Sequence, residues 1–558
     1  MQRAADGWRF HLGPVGSKPP APGPPPPPPP LPAECAVSKL GPMFPVNASK
    51  QLSGLQAHHA TSADACAAAC CEMSKACFTW QYSSAKKGGG CWLGSGSPFA
   101  HPSKEIWVGG SRKGPHPPPA PPAPKPGPGD GPDILPKTSP AAAPGFDDSQ
   151  WKLVDLPHDY IVEGAYAQDV PGDGGSSSGG AGQSYLPRDL GFYRKHFALP
   201  ADWKGNAVWI RFEGIFRAAK LWLNGEPVHE HAGWTGDAHG EGGGVGMGGG
   251  YTSFDVRIDN ASSVKFGSGE ENVLSVYVDP RKGSGWFYEG GGIYRKTWLH
   301  SAPPVHLQTD GVFAHGHVTA DAVKHRATHT LGASASSAEI IASAEVVNTA
   351  TTAAKATLEF ALFDADGRAV GAAVSTSVSL AGAVNSSTPA MVTSAIVKIP
   401  LTVNAELWSV ARPYLYTLQV TTDSGDAKNT SIGIYATKWT GDQGFFLNDQ
   451  HVKIRGFCNH ESFGGVGMAI PDRVNLYRAQ GMRSVGGNGW RMSHNPVTPG
   501  LLDILDRVGV VSMDESRELH SDPISIMNMG AMVKRDRNHA SVVIWVSFFF
   551  VYVSSGPN

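Results

Sequence analysis

The spacing of apolar and polar positions changes character along the chain. Over 146–304 the two kinds alternate in short runs, clearest at 192–197, 207–212, 219–223, 253–258 and 272–278. Period-two alternation broken by turn residues is the mark of half-buried strands. Asn224-Gly225 predicts a tight hairpin, because both residues tolerate the positive φ of a type I′ turn. These runs predict an antiparallel β-sandwich of jelly-roll type. Over 305–436 the alternation continues in an Ala-, Val-, Thr- and Ser-rich composition, clearest at 339–347, 356–363 and 417–421. It predicts a second, immunoglobulin-like β-sandwich.

Beyond residue 436 short apolar runs alternate with helical patterns. A strand is expected at 452–458, followed by Asn459, His460 and Glu461, then a helix at 470–482. A glycine-rich approach leads to Trp490 and the polar stretch Arg491 to Pro496. Leu501, Leu502, Ile504, Leu505 and Val508 share one helical face, and Gly509 stops that helix. A third strand at 510–513 ends on Asp514 and Glu515. A helix carrying Ile526, Met529 and Val533 then leads through Arg535 to His539 into a fourth strand at 542–545. Strand–helix alternation with polar residues at carboxyl ends predicts a parallel barrel whose site lies on its top face. A closed eight-stranded barrel takes about 250 residues, so 437–545 reads as the first half of a TIM (β/α)8 barrel. The stretch 546–558 reads as an unrelated tail, with an aggregation-prone β segment at 548–553.

The N-terminal part is organised by proline and cysteine. Residues 1–33, with their proline run, read as disordered, and 113–145 as a second Pro-rich linker. Between them, 34–112 reads as a small module holding six of the seven cysteines: Cys35, Cys66, Cys70, Cys71, Cys77 and Cys91. Ser62 can cap a helix that places Cys66 and Cys70 on one side. Six cysteines allow fifteen pairings, which spacing does not choose between. No Cys-x-x-Cys pairs or clustered histidines accompany them, which argues against zinc.

Crowded cysteines and four Asn-x-Ser/Thr sequons, at Asn47, Asn260, Asn385 and Asn429, point to a secreted protein. Residues 1–20 lack the apolar core of a signal peptide, so a start further upstream is expected. With 46 basic and 48 acidic residues, the net charge of −2 argues against nucleic acid or an anionic membrane as partner. No run reaches the roughly 18 apolar residues of a membrane span. Gly244, Gly246 and Gly249 match a dinucleotide pattern but precede a strand, where nucleotide binding needs a helix start. His229 and His231 alternate onto one strand face without a third metal ligand in view.

Several motifs resemble glycoside hydrolase family 2, the β-galactosidase and β-glucuronidase family. They are WKLVDLPHDY at 151–160, Tyr193-Arg-Lys with Trp222-Leu-Asn-Gly, GWFYEGGGIYR at 285–295, and Leu407-Trp408 with Pro413-Tyr-Leu-Tyr. In the barrel they are Lys453-Ile-Arg-Gly, Asn459-His460, RMSHNP at 491–496, Asp514-Glu515 and RDRNH at 535–539. The cysteine spacing, with Cys91-Trp-Leu, is similar to a PAN/Apple module. That resemblance implies a protein or glycan ligand; the plainer alternative is a disulfide-stapled spacer.

The family-2 resemblance implies a retaining glycosidase with two glutamates, about 5–5.5 Å apart, one protonating the leaving oxygen and one attacking the anomeric carbon. It implies a β-linked oligosaccharide or glycoside as substrate, a galactoside first, and leaves room for a Mg or Na ion as cofactor. It also implies that Asn459, His460, Arg491, His494, Asn495 and Asp514 bind or support the sugar, with Glu289 reaching in from the first sandwich. Each has a plainer reading as a capping or loop-bracing residue. The acid/base glutamate is expected soon after Trp545, in Trp-Ser-Leu-Gly-Asn-Glu, yet Trp545 is followed by Val546-Ser547-Phe548. Neither catalytic glutamate is therefore expected in this chain. Val-Ser can be encoded by an intron-donor consensus, so the tail is expected to be read-through of a retained intron. The competing functional reading is a non-catalytic extracellular carbohydrate- or protein-binding protein.

Overall fold

The computed structural model describes residues 7–12, 138–167, 184–231, 249–281, 287–318, 333–385, 388–401, 404–517 and 523–547. It also describes isolated strands at 2–3, 44–48, 55–58, 79–83, 90–94, 102–111, 323–325 and 550–553. The chain divides into two compact units, one of Met1–Ser17 with Gly131–Asn558 and one of Lys18–Asp130. In the smaller unit Phe44–Ala48, Pro102–Ser111, Thr79–Ser83, Gly90–Gly94 and Leu55–His58 form one antiparallel sheet in that order. The helix expected to carry Cys66 and Cys70, and the sulfur atoms of all six disulfide candidates, lie outside the described residues.

The larger unit opens with the jelly roll. One sheet runs Glu226–His231, Ala218–Leu223, Asn272–Asp279, Gly191–Phe197, Trp8–Leu12 and Lys152–Val154. The facing sheet contains Thr297–Ala302, Ala207–Phe212 and Phe254–Arg257. Leu221, Val276 and Tyr193 from the first pack against Val208, Ile210 and Phe212 from the second, all buried. Asn224 (φ 50°) and Gly225 (φ 89°) make the expected turn.

Trp8–Leu12 corrects the disordered assignment of residues 1–33. Trp8 and Phe10 are both buried, and Phe10 stacks on Tyr160 at 4.8 Å. The strand hydrogen-bonds on both sides, to Lys152–Val154 and Gly191–Phe197. Period-two alternation within WRFHL overrides the composition of the proline run that follows.

In the second sandwich the long pair Val305–Val318 and Ala338–Asn348 faces Ala354–Phe363, Tyr416–Thr422, Val374–Leu380 and Ala427–Ile432. Its core is mostly aliphatic, centred on Ile340, Leu358, Phe360, Leu418 and Ile399. Trp408, fully buried, carries the chain into the last domain. Its Nε1 donates to the Asp506 carbonyl at 2.8 Å, and Asn448 Nδ2 donates to the Trp408 carbonyl at 2.9 Å.

The last domain contains four parallel strands, β1 (Gly456–Asn459), β2 (Gly489–Met492), β3 (Val511–Ser516) and β4 (Val542–Ser547). Between them run α1 (Asp472–Ser484), α2 (Pro499–Val508) and α3 (Pro523–Asp536). Val546 and Ser547, assigned from sequence to the tail, complete β4. Phe550–Val553 then turns back and pairs antiparallel to it. Leu501, Leu502, Ile504 and Leu505 of α2 pack on Trp490 and Met492. Gly509 ends α2 at φ 75°, its N–H bonded to the Leu505 carbonyl at 3.0 Å. A Cβ there would be strained and would press on the Val410 carbonyl. Gly509→Ala is expected to lower stability by at least about 1 kcal/mol, as urea denaturation would show. Among the described residues no helix is long and apolar enough to cross a membrane.

Candidate functional site

The register of the parallel sheet decides which polar side chains meet. Arg491 on β2 pairs with Met513 on β3, so Glu515, two residues on, shares its face and Asp514 takes the opposite one. Glu515 is fully buried and is held by two side chains. Arg491 Nε donates to its Oε2 at 2.9 Å, Arg491 Nη2 reaches Oε1 at 3.3 Å, and His494 Nδ1 stands 2.6 Å from Oε1. The guanidinium is thus fixed by a two-pronged bond while about a third of its side chain stays exposed. Arg491 Nη1 also reaches Cys458 Sγ of β1, at 3.6 Å.

His460, just beyond β1, stands edge-on to His494, with ring centroids 5.8 Å apart. Burial lowers its pKa, and the neighbouring His494 ring adds to that effect; this favours the neutral imidazole, whose bare ring nitrogen accepts a hydrogen bond from a hydroxyl. The Phe287 ring of the jelly roll covers both histidines, 4.3 Å from His460 and 6.2 Å from His494. The Arg517 guanidinium lies 5.0 Å from the centroid of the same ring. The result is a polar cluster of two guanidiniums, two imidazoles and an aromatic ring at the carboxyl ends of three parallel strands. Guanidinium and imidazole groups bond to hydroxyls, and an aromatic ring covers the apolar face of a sugar.

Among the residues expected at this site, Arg491, His494 and His460 come together. Asn459 lies beside them, but its Nδ2 donates to the Phe457 carbonyl at 2.9 Å. Three others are placed elsewhere. Asn495 is buried and donates to Glu461 Oε2 at 2.7 Å, which makes it a brace beneath the site. Asp514 faces the helix layer, where burial and the adjacent Asp536 push its carboxyl well above the ordinary aspartate range. Glu289 is fully buried, accepting from the Tyr251 hydroxyl at 2.8 Å and from Arg188 at 3.4 Å, so it braces the jelly roll.

Two residues join the site beyond those that the motifs imply. Glu515 stood beside Asp514 in the sequence, and strand register separates them. Phe287 lies two residues before Glu289 in the same motif and is the described residue of that loop that touches the histidines.

Among the described residues no three His, Cys, Asp or Glu side chains group as metal ligands. The Mg or Na ion left open by the resemblance finds no such donor set there. His229 and His231 stack on Phe254 at 5.0 and 4.1 Å.

Below the cluster the jelly roll and the barrel are joined by a buried ion pair. Arg295 Nη2 and Nε donate to Glu461 at 2.6 and 3.2 Å. Arg295 also donates to the carbonyls of Tyr251 at 2.8 Å and Pro496 at 2.5 Å. Glu461 in turn accepts from the Thr498 N–H at 3.1 Å.

Two β-sandwiches leading into a parallel α/β sheet, with polar side chains gathered at its strand ends, define a multidomain protein of mixed β and α/β class. Comparison with known proteins makes this specific. Residues 322–434 match the family described as Glycosyl hydrolases family 2, and residues 440–525 match Glycosyl hydrolases family 2, TIM barrel domain. Residues 322–525 therefore belong to glycosyl hydrolase family 2. Beta-galactosidase BoGH2A of Bacteroides ovatus is 32% identical over 73% of this chain and 44% of its own length. A beta-galactosidase of Thermoanaerobacter pseudethanolicus is 27% identical over 72% and 48%. A putative beta-glucuronidase of Formosa agariphila is 27% identical over 74% and 36%. A family-2 member from Bacteroides cellulosilyticus has a similar solved structure, with TM-score 0.58 and 28% identity over 73% of this chain and 49% of that one. The chain spans less than half the length of these curated relatives.

Proposed function

We propose that the chain is part of a retaining β-glycosidase of the β-galactosidase type, acting on terminal β-linked sugars with a galactoside preferred. The observation that carries this reading is the cluster of Arg491, His494 and His460 under Phe287. It offers hydrogen-bonding groups and one aromatic face to a ring bearing several hydroxyls. Galactoside is favoured because the Asn459-His460 and Trp286-Phe-Tyr-Glu289 segments look most like β-galactosidase members. The relatives called beta-glucuronidase make a glucuronide the competing substrate. In this reading the protein is secreted, and residues 34–112 hold a separate protein or glycan ligand.

The described part of the barrel has two glutamates, both committed to ion pairs: Glu461 with Arg295 and Glu515 with Arg491. Neither of these two is free to act as nucleophile; with the motif that carries the acid/base glutamate missing after Trp545, residues 1–558 by themselves are expected to bind a β-glycoside without hydrolysing it. The test is calorimetric titration with isopropyl β-thiogalactoside and phenyl β-glucuronide, alongside a turnover assay on an aryl β-galactoside. Binding of the galactoside that disappears in Arg491→Ala supports the reading. Enzymatic turnover by this polypeptide alone would overturn the assignment of the glutamates, and failure to bind either sugar would overturn the glycoside reading itself.

A further inference from the structure

Asp159, the last residue of the Leu-Pro-His-Asp motif, lies outside the cluster and has no part in the reading above. It is almost completely buried, and four donors from three places converge on its carboxylate. Oδ1 accepts from the N–H groups of Ile161 and Gly291, both at 3.1 Å. Oδ2 accepts from the Tyr288 hydroxyl at 2.9 Å and the Met468 N–H at 2.8 Å. Gly290 and Gly467 both pack against it, and a Cβ on either would collide with Oδ2.

The donors matter for where they come from. Tyr288 directly follows Phe287, whose ring rests on His460. Met468 and Gly467 close the loop that begins at His460 and Glu461, a loop pinched by the Phe463–Gly467 bridge. Arg295 holds the near end of that loop through Glu461, and Asp159 holds its far end. One carboxylate thus fixes two partners of a single contact: the jelly-roll segment bearing Phe287 and the barrel loop bearing His460.

We propose that Asp159 is a positioning residue that latches the loop after β1 to the jelly roll and so sets His460 against Phe287 in the sugar site. The proposal rests on the glycoside-binding reading for its consequence, but not for its geometry. Asparagine is the informative substitution. Three partners are backbone N–H groups, which only donate: two on Oδ1 and that of Met468 on Oδ2, beside the Tyr288 hydroxyl, which can also accept. The NH2 of an asparagine costs least when it faces Tyr288 and Met468, so Asp159→Asn breaks the Met468 bond of the latch with almost no change of shape.

The experiment uses the whole 558-residue chain. Hydrogen exchange in the segment 462–469 is expected to speed up by roughly 10- to 100-fold in Asp159→Asn, the loss of bonds to a charged acceptor. Exchange in the second sandwich should not change. The His460 ring signals should move toward those of an imidazole without an aromatic cover, and affinity for isopropyl β-thiogalactoside should fall about tenfold, the equivalent of roughly 1.4 kcal/mol. Tyr288→Phe, which removes one donor and leaves the carboxylate, gives the same changes in smaller measure and serves if Asp159→Asn fails to fold. Unchanged exchange at 462–469, or faster exchange with the His460 signals unmoved, would overturn the latch. Failure of the unaltered chain to bind sugar would overturn the glycoside reading, and the exchange and ring signals would still decide the latch.

Discussion

Arg295→Ala lowers the stability of the chain by about 3–5 kcal/mol, the usual loss when one partner of a buried ion pair is removed. The arginine side chain is 1% exposed and that of Glu461 6%. Truncation leaves the Glu461 carboxylate with the Asn495 amide and the Thr498 N–H, takes the Arg295 donor from the Tyr251 carbonyl, and leaves the Pro496 and Glu213 carbonyls with the Asn495 amide and the Ser253 hydroxyl. Those groups belong to both the jelly roll and the barrel, so the two should come apart in urea as separate transitions. Denaturation followed by tryptophan fluorescence, with Trp490 and Trp298 as reporters in the two domains, would read this out. Because most of the loss is an uncompensated charge, Arg295→Met combined with Glu461→Gln should be less harmful than Arg295→Ala alone. Equal loss in both would show that packing, and not charge, holds the junction.

The second large effect is a fall in stability with rising pH, centred on His539. Burial by itself would lower its pKa, but Asp506, with Oδ2 2.7 Å from Nδ1, overrides that and raises it to about 9, helped by Asp536 and Asp503. A histidine whose folded pKa lies above its unfolded value of about 6.5 binds its proton more tightly in the native state. Its contribution is therefore complete below about pH 6.5 and is lost as the pH rises through about 9. A shift of this size corresponds to a contribution on the order of 3 kcal/mol. Urea midpoints measured at intervals from pH 6 to 9.5 should decline for the unaltered chain. His539→Gln should start lower and decline less over the same range. Parallel curves for the two proteins would refute the ion pair as the source.

Much of the fold was legible because it is periodic. The alternation at 207–212 and 272–278, and the helical face of Leu501 to Val508, needed only local burial to be read, and Gly509 supplied a stop with a physical cause. Trp8–Leu12 was hidden by composition: five residues of alternation count for little beside a proline run, until two strands far along the chain pair with them. The site was legible to the level of segments and not of faces. Asp514 and Glu515 are adjacent, and which one joins the cluster depends on the register of β3 against β2, a tertiary fact. Phe287 and Glu289 differ by the path of a loop, which no period governs. Arg491 and His494 were legible as members of a polar segment at a strand end, while the register of β2 against β3 is what puts Arg491 on the face of Glu515.

The antiparallel strand Phe550–Val553 has a consequence for how the sheet can grow. β4 has β3 on one flank, and on the other its row of amides and carbonyls is already matched to Phe550–Val553. A further strand running parallel to β4 would need the same row. Closing the ring and keeping this clasp are therefore alternatives for one set of hydrogen bonds, and a polypeptide that wraps the full circle must first release it.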